Sequence, residues 1–319
     1  MRFRKLAHPL LVLFAVVALS HLALAADHQP PYDPRPLMEA ADPSAGAPFT
    51  FAVLGDSYAN PPLGGLLEMV AARKPTFAVT TGDMVSNGSD EAQWRTLSDR
   101  AGWFLSSIAT WPVIGNHELA GAPGEGRAHF TSFYHLPEQS YSFTFCNSKF
   151  VVVGYESQAG QLAFLRAELA DRAKYDNVFV FRHPPFFTVG SKSTSEVPNR
   201  ATEITKLLTQ RHVTAVIAGH DHSYYRTKRE GVTYLIAGAA GAGLYDLRRI
   251  SERRPTDSYM GVIGDRFVLH TPKGMNESVL RTASSEDDWL FAVFVHVDGK
   301  HVTAETISKN GDVWERFPL

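Results

Sequence analysis

The sequence predicts an α/β protein, and two patterns carry that prediction. Between residues 49 and 218, short apolar runs alternate with amphipathic stretches, in the βαβα order of sheets that carry helices on their faces. Several of these runs are almost continuously apolar, which is typical of strands covered on both sides. The 319 residues are 44% hydrophobic and 20% charged, so the chain has enough apolar material for a large core.

The elements follow one another from residue 49 onward. Periodicity predicts strands and helices at the following ranges: strands 49–54, 76–80, 111–114, 141–145, 150–154, 178–181 and 213–218, and helices 63–73, 90–108, 161–172 and 201–211. After Gly219 the pattern becomes strand-like, at 232–237 and over 289–318. The second stretch is broken at Asp298-Gly299 and Asn310-Gly311, which are hairpin-turn signals. Residues 121–135 and 248–285 show no pattern that assigns them an element.

Residues 1–25 have the pattern of a secretory signal peptide. A basic start precedes an apolar stretch at 10–19, and small residues precede Ala26. That stretch is shorter than the roughly 20 residues that cross a bilayer, which disfavours the alternative of a membrane anchor. Residues 26–48, rich in Pro, Asp and Ala, are expected to form an irregular leader, and residues 49–319 one domain. We therefore expect an exported protein, periplasmic or secreted.

Charge and cysteine content argue against a nucleic-acid-binding protein and against a disulfide-stabilised fold. The formal net charge is −2, so the basic excess typical of a nucleic-acid-binding protein is missing. Cys146 is the single cysteine and excludes an internal disulfide. It ends the alternating run 141–146, where a thiol is expected to pack in a strand rather than to act as a nucleophile.

Five short polar clusters follow predicted strands, and they carry the chemistry. They are Gly55-Asp56-Ser57-Tyr58, Gly82-Asp83, Gly115-Asn116-His117-Glu118, Arg182-His183-Pro184-Pro185 and Gly219-His220-Asp221-His222. Polar residues at the carboxyl ends of strands in an open sheet converge on one site. Two Asp, one Asn and three His form an oxygen and nitrogen donor set that suits Mn, Fe or Zn. Each cluster alone is compatible with a structural turn or a core histidine; together they indicate a metal centre.

The ordered set resembles the calcineurin-like metallophosphoesterase superfamily, whose signature is Asp-x-His, Gly-Asp, Gly-Asn-His-Asp/Glu, a lone His and Gly-His-x-His. The resemblance covers about residues 49–244 and implies a four-layer αββα sandwich of two mixed β-sheets flanked by helices. It also implies two metal ions, divalent or mixed-valence, and a small phosphorylated substrate that is hydrolysed by a metal-bridging hydroxide. By the resemblance, residues 49–319 form a metallophosphoesterase domain.

Carried over residue by residue, the resemblance assigns ligands to both metals. Asp56, Asp83 and His222 would hold the first metal; Asp83, Asn116, His183 and His220 would hold the second, with Asp83 bridging. His117 would be a catalytic non-ligand, and Asn116 and His117 would contact the substrate. His117 would stabilise the phosphoryl oxygens or protonate the leaving group, a role that suits an imidazole near neutral pH. Packing in the core is the alternative role for His117.

Tyr58 departs from the superfamily pattern, because it stands where the second His of the first motif is usual. Purple acid phosphatases, a branch of the superfamily, bind the first metal through a tyrosine, but in a Gly-Asp-x-x-Tyr motif whose last position here is Ser86. Tyr58 is therefore either a relocated phenolate ligand that favours a ferric ion or a bystander at a site one ligand short. The run from His220 to Arg226 is also similar to that branch, although a structural role is favoured for Tyr224 and Arg226.

The sequence leaves rival functions open. The leading one is a metal-dependent phosphohydrolase, acting on phosphomonoesters. A phosphodiesterase or nucleotidase would use the same site, and a catalytically weakened phosphate-binding protein would keep the scaffold. The glycine-rich run 238–243 is expected to be a close backbone turn rather than a nucleotide loop, because no βαβ unit with an acidic residue follows it. A Ser-rich loop at 190–199 is a candidate roof for the pocket.

Overall fold

The computed structural model describes residues 29–41, 46–136, 138–188, 203–244, 257–263, 266–270, 278–282 and 289–319. The helices are α1 Pro34–Ala40, α2 Leu63–Ala72, α3 Glu91–Leu105, α4 Glu125–Tyr134, α5 Gln158–Glu168 and α6 Glu203–Gln210. The strands before α6 are β1 Phe49–Leu54, β2 Phe77–Thr80, β3 Thr110–Pro112, β4 Tyr141–Phe145, β5 Ser148–Val153 and β6 Asn177–Arg182. The later strands are β7 Ala215–Ala218, β8 Tyr224–Arg229, β9 Val232–Ala237, β10 Ser258–Ile263, β11 Arg266–His270, β12 Ser278–Thr282, β13 Phe291–Asp298, β14 His301–Ser308 and β15 Val313–Pro318.

The first sheet has six strands in the order β15-β14-β13-β1-β2-β3. Strands β1, β2 and β3 run parallel, with Phe51 opposite Phe77 and Ala78 opposite Thr110, while β13 adds to β1 antiparallel. The turns at Gly299 and Gly311 both have positive φ, which a glycine adopts without steric cost. This confirms the two hairpins that the C-terminal sequence predicts.

The second sheet has nine strands in the order β12-β11-β10-β8-β9-β7-β6-β5-β4. Its centre is parallel: β5 pairs with β6, β6 with β7, and β7 with β9. Antiparallel strands complete both sides, so this sheet is mixed like the first.

The two sheets share one apolar interior. Phe51 and Phe77 of the first sheet meet Phe150 and Phe179 of the second, with ring centroids 5.2–5.4 Å apart. On the other face of β6, Val178 and Val180 belong to a separate apolar cluster with buried residues of α5 and α6, such as Leu165 and Leu208. Side chains of successive strand residues point to opposite faces, so the continuous apolar run of β6 serves both layers. The predicted sandwich of two mixed sheets with flanking helices is confirmed.

Four stretches differ from the sequence-based prediction. Residues 34–40 of the expected irregular leader form α1, which Asp33 caps by accepting a hydrogen bond from the backbone of Arg35 (2.9 Å). Just before α1, Tyr32 is buried and its hydroxyl lies 2.5 Å from that of Ser98 on α3. The unassigned stretch 121–135 contains α4, and β10, β11 and β12 lie within 248–285. Strand β8 was also missed.

Two predicted features lie outside the described residues: the signal peptide at 1–25 and the Ser-rich loop at 190–199. Parts of the leader and of 248–285 lie outside them as well. Among the helices of the described ranges, none is both long enough and apolar enough to cross a membrane.

Candidate metal centre

The five polar clusters meet at one edge of the two sheets. Strands β1, β2 and β3 of the first sheet end just before Asp56, Asp83 and the Asn116-His117 pair. Strands β6 and β7 of the second sheet end just before His183 and His220. Because all five strands are parallel within their sheets, their carboxyl ends bring these side chains together.

One group of donor atoms surrounds the amide oxygen of Asn116. It lies 2.9 Å from His220 Nδ1 and 3.0 Å from His183 Nε2. The two imidazole nitrogens are 3.2 Å apart, and His183 Nε2 is 3.2 Å from Asp83 Oδ2. We call Asp83, Asn116, His183 and His220 the Asp83 cluster. Its carboxylate and two imidazoles have one donor atom each within 4.8 Å of one another, a geometry that can hold a metal ion.

A second group begins with Asp56. His222 Nε2 lies 3.5 Å from Asp56 Oδ2 and 3.0 Å from the hydroxyl oxygen of Tyr58. We call Asp56, Tyr58 and His222 the Asp56 cluster. The backbone N–H of His220 donates to both carboxylate oxygens of Asp56, at 3.1 and 3.0 Å, and so ties the two clusters together.

These separations fit ligands of a metal ion. Two ligands that bind one ion at about 2.0–2.1 Å are about 2.9 Å apart at a right angle and about 3.4 Å apart in a tetrahedron. The donor atoms of both clusters lie at 2.9–3.5 Å from their neighbours. When His183 is neutral, its Nε2 and the neighbouring oxygens of Asn116 and Asp83 are all acceptors, an arrangement that a cation would satisfy. The residues present therefore fit the expected ions.

Hydrogen bonds to backbone carbonyls fix the imidazole tautomers. His183 Nδ1 donates to the carbonyl of Thr81 at 2.7 Å, and His222 Nδ1 donates to that of Gly243 at 2.9 Å. In the neutral ring, which is the form that binds a metal ion, each bond places the ring proton on Nδ1 and leaves the Nε2 lone pair facing its cluster. Ligand histidines are commonly oriented in this way by a partner on the other nitrogen.

Burial and charged neighbours shift the pKa values of His183 and Asp83. Burial lowers the pKa of His183, but the carboxylates of Asp83 and Asp56 raise it to about 9. Burial raises the pKa of Asp83, but His183 and the backbone N–H and ring of His117 together outweigh it, so the pKa of that carboxyl falls below its ordinary value. The pocket thus favours positive charge between its carboxylates, as a cation site requires.

His117 lies beside the Asp83 cluster without joining it. Its backbone N–H donates to Asp83 Oδ1 at 2.9 Å, and its Nε2 is 4.0 Å from Asp83 Oδ2. The ring proton sits on Nδ1, which donates to the carbonyl of Ser86 at 2.8 Å. The side chain is 36% exposed, so it does not pack in the core, and its Nε2 can exchange a proton with a bound molecule. Its ring meets that of Tyr58 edge-on, with centroids 4.9 Å apart.

Gly219 shows why a glycine precedes one of the clusters. A Cβ atom at this position would lie 2.3 Å from Asp56 Oδ1 and 2.5 Å from the Thr81 hydroxyl oxygen. No side chain fits there while the Asp56 carboxylate keeps its place. The absence of a side chain thus lets the backbone N–H of His220 approach Asp56.

Three other sequence candidates have structural roles. Tyr224 donates from its hydroxyl to Glu315 Oε2 at 2.5 Å, and Arg226 forms an ion pair with the same carboxylate. The glycine-rich run is a close backbone turn, as predicted. The N–H groups of Ala240 and Ala242 both donate to the backbone carbonyl of Asp56, at 2.9 and 3.0 Å.

Two residues of the site were missed by sequence analysis. The Tyr155 hydroxyl lies 3.4 Å from Asn116 Oδ1. Tyr155 follows Gly154 just after the end of β5, so it occupies the same kind of strand-end position as the five clusters. That position could have identified Tyr155 as a site residue from the sequence. Glu118 is 1% exposed and accepts backbone hydrogen bonds from two loops of the site. Glu118 ends the Gly-Asn-His-Glu motif, but the motif does not show which groups its carboxylate contacts.

Comparisons with known proteins concern the family and the fold. Residues 49–224 match the family model described as calcineurin-like phosphoesterase. Purple acid phosphatase 18 of Arabidopsis thaliana is 28% identical over an alignment of 204 residues, and the match covers 59% of this chain and 46% of that protein. Purple acid phosphatase 21 of the same plant is 27% identical over 207 residues, again 46% of its length. The matched region thus spans about half the length of these relatives.

Solved structures show the same fold. The purple acid phosphatase PPD1 from yellow lupin (Lupinus luteus) superposes with a TM-score of 0.66 at 15% identity, covering 87% of this chain and 54% of that one. GAP50, the anchor in the inner membrane complex of Plasmodium, superposes with a TM-score of 0.58 at 15% identity, covering 85% and 88%. At these identities the similarity concerns the fold alone.

Proposed function

We propose that this chain, which belongs to the calcineurin-like phosphoesterase family, is a metal-dependent phosphohydrolase that acts on phosphomonoesters. The observation that carries the proposal is the convergence of two adjacent donor clusters, around Asp83 and Asp56, at the carboxyl ends of parallel strands. Two metal ions on neighbouring sites are a common arrangement for displacement at a phosphoryl group. The relatives named purple acid phosphatases support the same reaction class.

The ligand assignment follows the two clusters. Asp83, Asn116, His183 and His220 would hold one ion, and Asp56 and His222 the other, with Asp83 shared. Bound ions of Mn, Fe or Zn would activate water and neutralise charge on the phosphoryl group. The side chains of Asp56, Asp83 and His183 are buried by the fold itself, which holds their oxygen and nitrogen atoms in place before an ion binds.

Tyr58 would be a further ligand of the ion that Asp56 and His222 hold. Its hydroxyl oxygen lies at a ligand-like 3.0 Å from His222 Nε2, and its φ of 52° is in the left-handed region that disfavours a side chain. A strained backbone at a polar residue in a site is compatible with a role that the fold maintains. Of the two roles that the sequence left open, this geometry supports the ligand over the bystander.

His117 would transfer a proton and Asn116 would help to bind the substrate. Because His117 Nδ1–H donates to the Ser86 carbonyl, only Nε2 is available to exchange a proton with the substrate. In its protonated form, Nε2 would donate to a phosphoryl oxygen or to the departing alkoxide oxygen. Such a positioned imidazole contributes about 10²–10⁴-fold to a rate.

Export to the periplasm or the medium is part of the proposal. It rests on the basic start and apolar stretch within residues 1–25, which lie outside the described residues. N-terminal sequencing of the exported protein tests it: we expect Ala26 as the first residue, and a retained Met1 in an exported protein would contradict the signal peptide.

Hydrolysis of an aryl phosphate monoester tests the function. Purified protein is assayed after treatment with a chelator and again after addition of Mn, Fe or Zn, alongside Asp83→Ala. We expect turnover that is lost with chelator, restored by metal and absent in the variant. Turnover of an aryl diester or a nucleotide alone would favour the phosphodiesterase or nucleotidase alternative. Metal binding without turnover of any ester would favour the weakened phosphate-binding protein.

A further inference from the structure

We propose that Glu118 is a positioning residue for the metal centre: its carboxylate holds the two loops that carry Asp83 and Asn116 in the geometry that binds metal. This inference deepens the proposed function and rests on it. Nothing in the ligand assignment uses Glu118, which lies two residues after Asn116 and behind the site.

The carboxylate of Glu118 accepts four backbone hydrogen bonds. Oε2 accepts from the N–H groups of Asp83 (2.8 Å) and Gly115 (2.7 Å). Oε1 accepts from those of Met84 (2.6 Å) and Val85 (3.2 Å). Two carboxylate oxygens offer about four acceptor positions, so the hydrogen-bonding capacity of this side chain is used in full.

Three of those donors form an anion nest. Asp83 has φ 55°, in the left-handed region, and this conformation turns the consecutive N–H groups of Asp83, Met84 and Val85 toward one point. Successive N–H groups in such a turn bind anions. The Glu118 carboxylate occupies this nest and compensates the strained backbone of Asp83. The orientation of the Asp83 side chain therefore depends on a residue of the neighbouring loop.

The dependence is reciprocal. Asp83 Oδ1 accepts from the backbone N–H of His117 at 2.9 Å, while Glu118 accepts from the N–H of Asp83. The backbone N–H of Gly88 also donates to the His117 carbonyl at 2.8 Å. The loop at 83–85 and the loop at 115–118 thus each hold a group of the other in place. The Glu118 carboxylate accepts three of these hydrogen bonds from the first loop and one from its own loop.

The position of Glu118 fits the same role. Its carboxyl is buried and lies directly against the backbone of Asp83. Gly115 permits this close approach, since a Cβ there would lie 2.7 Å from Glu118 Oε2 and 2.1 Å from Asp83 Oδ1. A bound cation at the Asp83 cluster would favour both carboxylates, so the negative charge of Glu118 adds to the attraction for metal.

Manganese binding tests the inference. Isothermal titration calorimetry with Mn²⁺ on chelator-treated protein compares wild type with Glu118→Gln, which keeps the shape but loses the charge and two acceptor positions. Changes at residues that orient metal ligands commonly cost 10–100-fold in affinity, and we expect a dissociation constant raised by that factor. Glu118→Asp keeps the charge but withdraws the carboxylate by about 1.5 Å. Glu118→Asp is expected to weaken Mn²⁺ binding about tenfold or more. If Glu118→Gln does not fold, the affinity of Glu118→Asp tests the inference in its place.

Leu165→Ala is the matched control for a general loss of stability. Leu165 is buried against the outer face of the second sheet, in the cluster separate from the site, and its truncation lowers the melting temperature without touching either loop. Its affinity for Mn²⁺ should stay within threefold of wild type. Mn²⁺ affinity within threefold of wild type in a folded Glu118 variant overturns the inference alone. Failure of the wild type itself to bind Mn²⁺ overturns the proposed function, and the inference with it.

Discussion

Gly219→Ala should remove one metal ion from the centre by a purely steric effect. The new Cβ would lie 2.3 Å from Asp56 Oδ1, whereas Cβ atoms essentially never approach other heavy atoms within 3.0 Å. The carboxylate or the loop must therefore shift by at least the difference, 3.0 − 2.3 = 0.7 Å. Metal–ligand distances vary by only about 0.2 Å, so Asp56 would no longer bind its ion.

The expected result is one bound ion per chain instead of two, together with a loss of turnover. A misplacement of about 1 Å in a catalytic site costs on the order of 100-fold, and we expect a fall of that size in kcat/KM for an aryl phosphate monoester. Elemental analysis of dialysed protein counts the ions in the same preparation.

Gly64→Ala is the matched control. Gly64 lies in α2, and a Cβ there meets no atom within 4 Å. It should keep both ions and full turnover, with a small gain in stability, because alanine favours a helix over glycine by about 1 kcal/mol. If Gly219→Ala also kept two ions and a kcat/KM within threefold of wild type, Asp56 would not be a ligand at the position that the structure gives it.

Three further predictions concern single side chains. His117→Ala should lower kcat by about 10²–10⁴-fold while both ions stay bound; steady-state kinetics with metal analysis check this, and a loss under tenfold would contradict the role of His117. Loaded with ferric iron, the wild type should show a visible absorption band from phenolate-to-iron charge transfer. Tyr58→Phe should lose the band and Tyr155→Phe should keep it; a band that survives in Tyr58→Phe rules out the Tyr58 ligand. Arg226→Met should lower the free energy of unfolding by about 3 kcal/mol in urea titrations, because Glu315 would lose its cation in a largely buried position. Turnover should stay within threefold of wild type, and a large loss would place Arg226 in the site after all.

The centre of the fold was predictable because its signals are local. Strands such as β1 and β6 are buried on both faces, so they read as continuous apolar runs. The polar residues that follow them are brought together by parallel strand order, which the βαβ pattern implies. For that reason Asp56, Asp83 and His183 could be named without knowing any distance between them.

What escaped prediction depends on weaker or distant signals. Helix α4 begins after Gly124, which has a φ of 86° and no side chain to cap the helix. The helix itself contains glycine and histidine, so its composition resembles that of a loop. Helix α1 has only seven residues, and packing rather than propensity stabilises so short a helix. The role of Glu118 depends on bonds to residues up to 35 positions away, which no spacing rule contains.

Turnover measured as a function of bound manganese tests the central claim most directly. Chelator-treated protein is titrated with Mn²⁺ while hydrolysis of an aryl phosphate monoester and the number of bound ions are followed together. The two-cluster site predicts that turnover is absent without Mn²⁺ and reaches its maximum as the second ion binds. Full turnover without metal, or turnover that persists in Asp83→Ala, would contradict it.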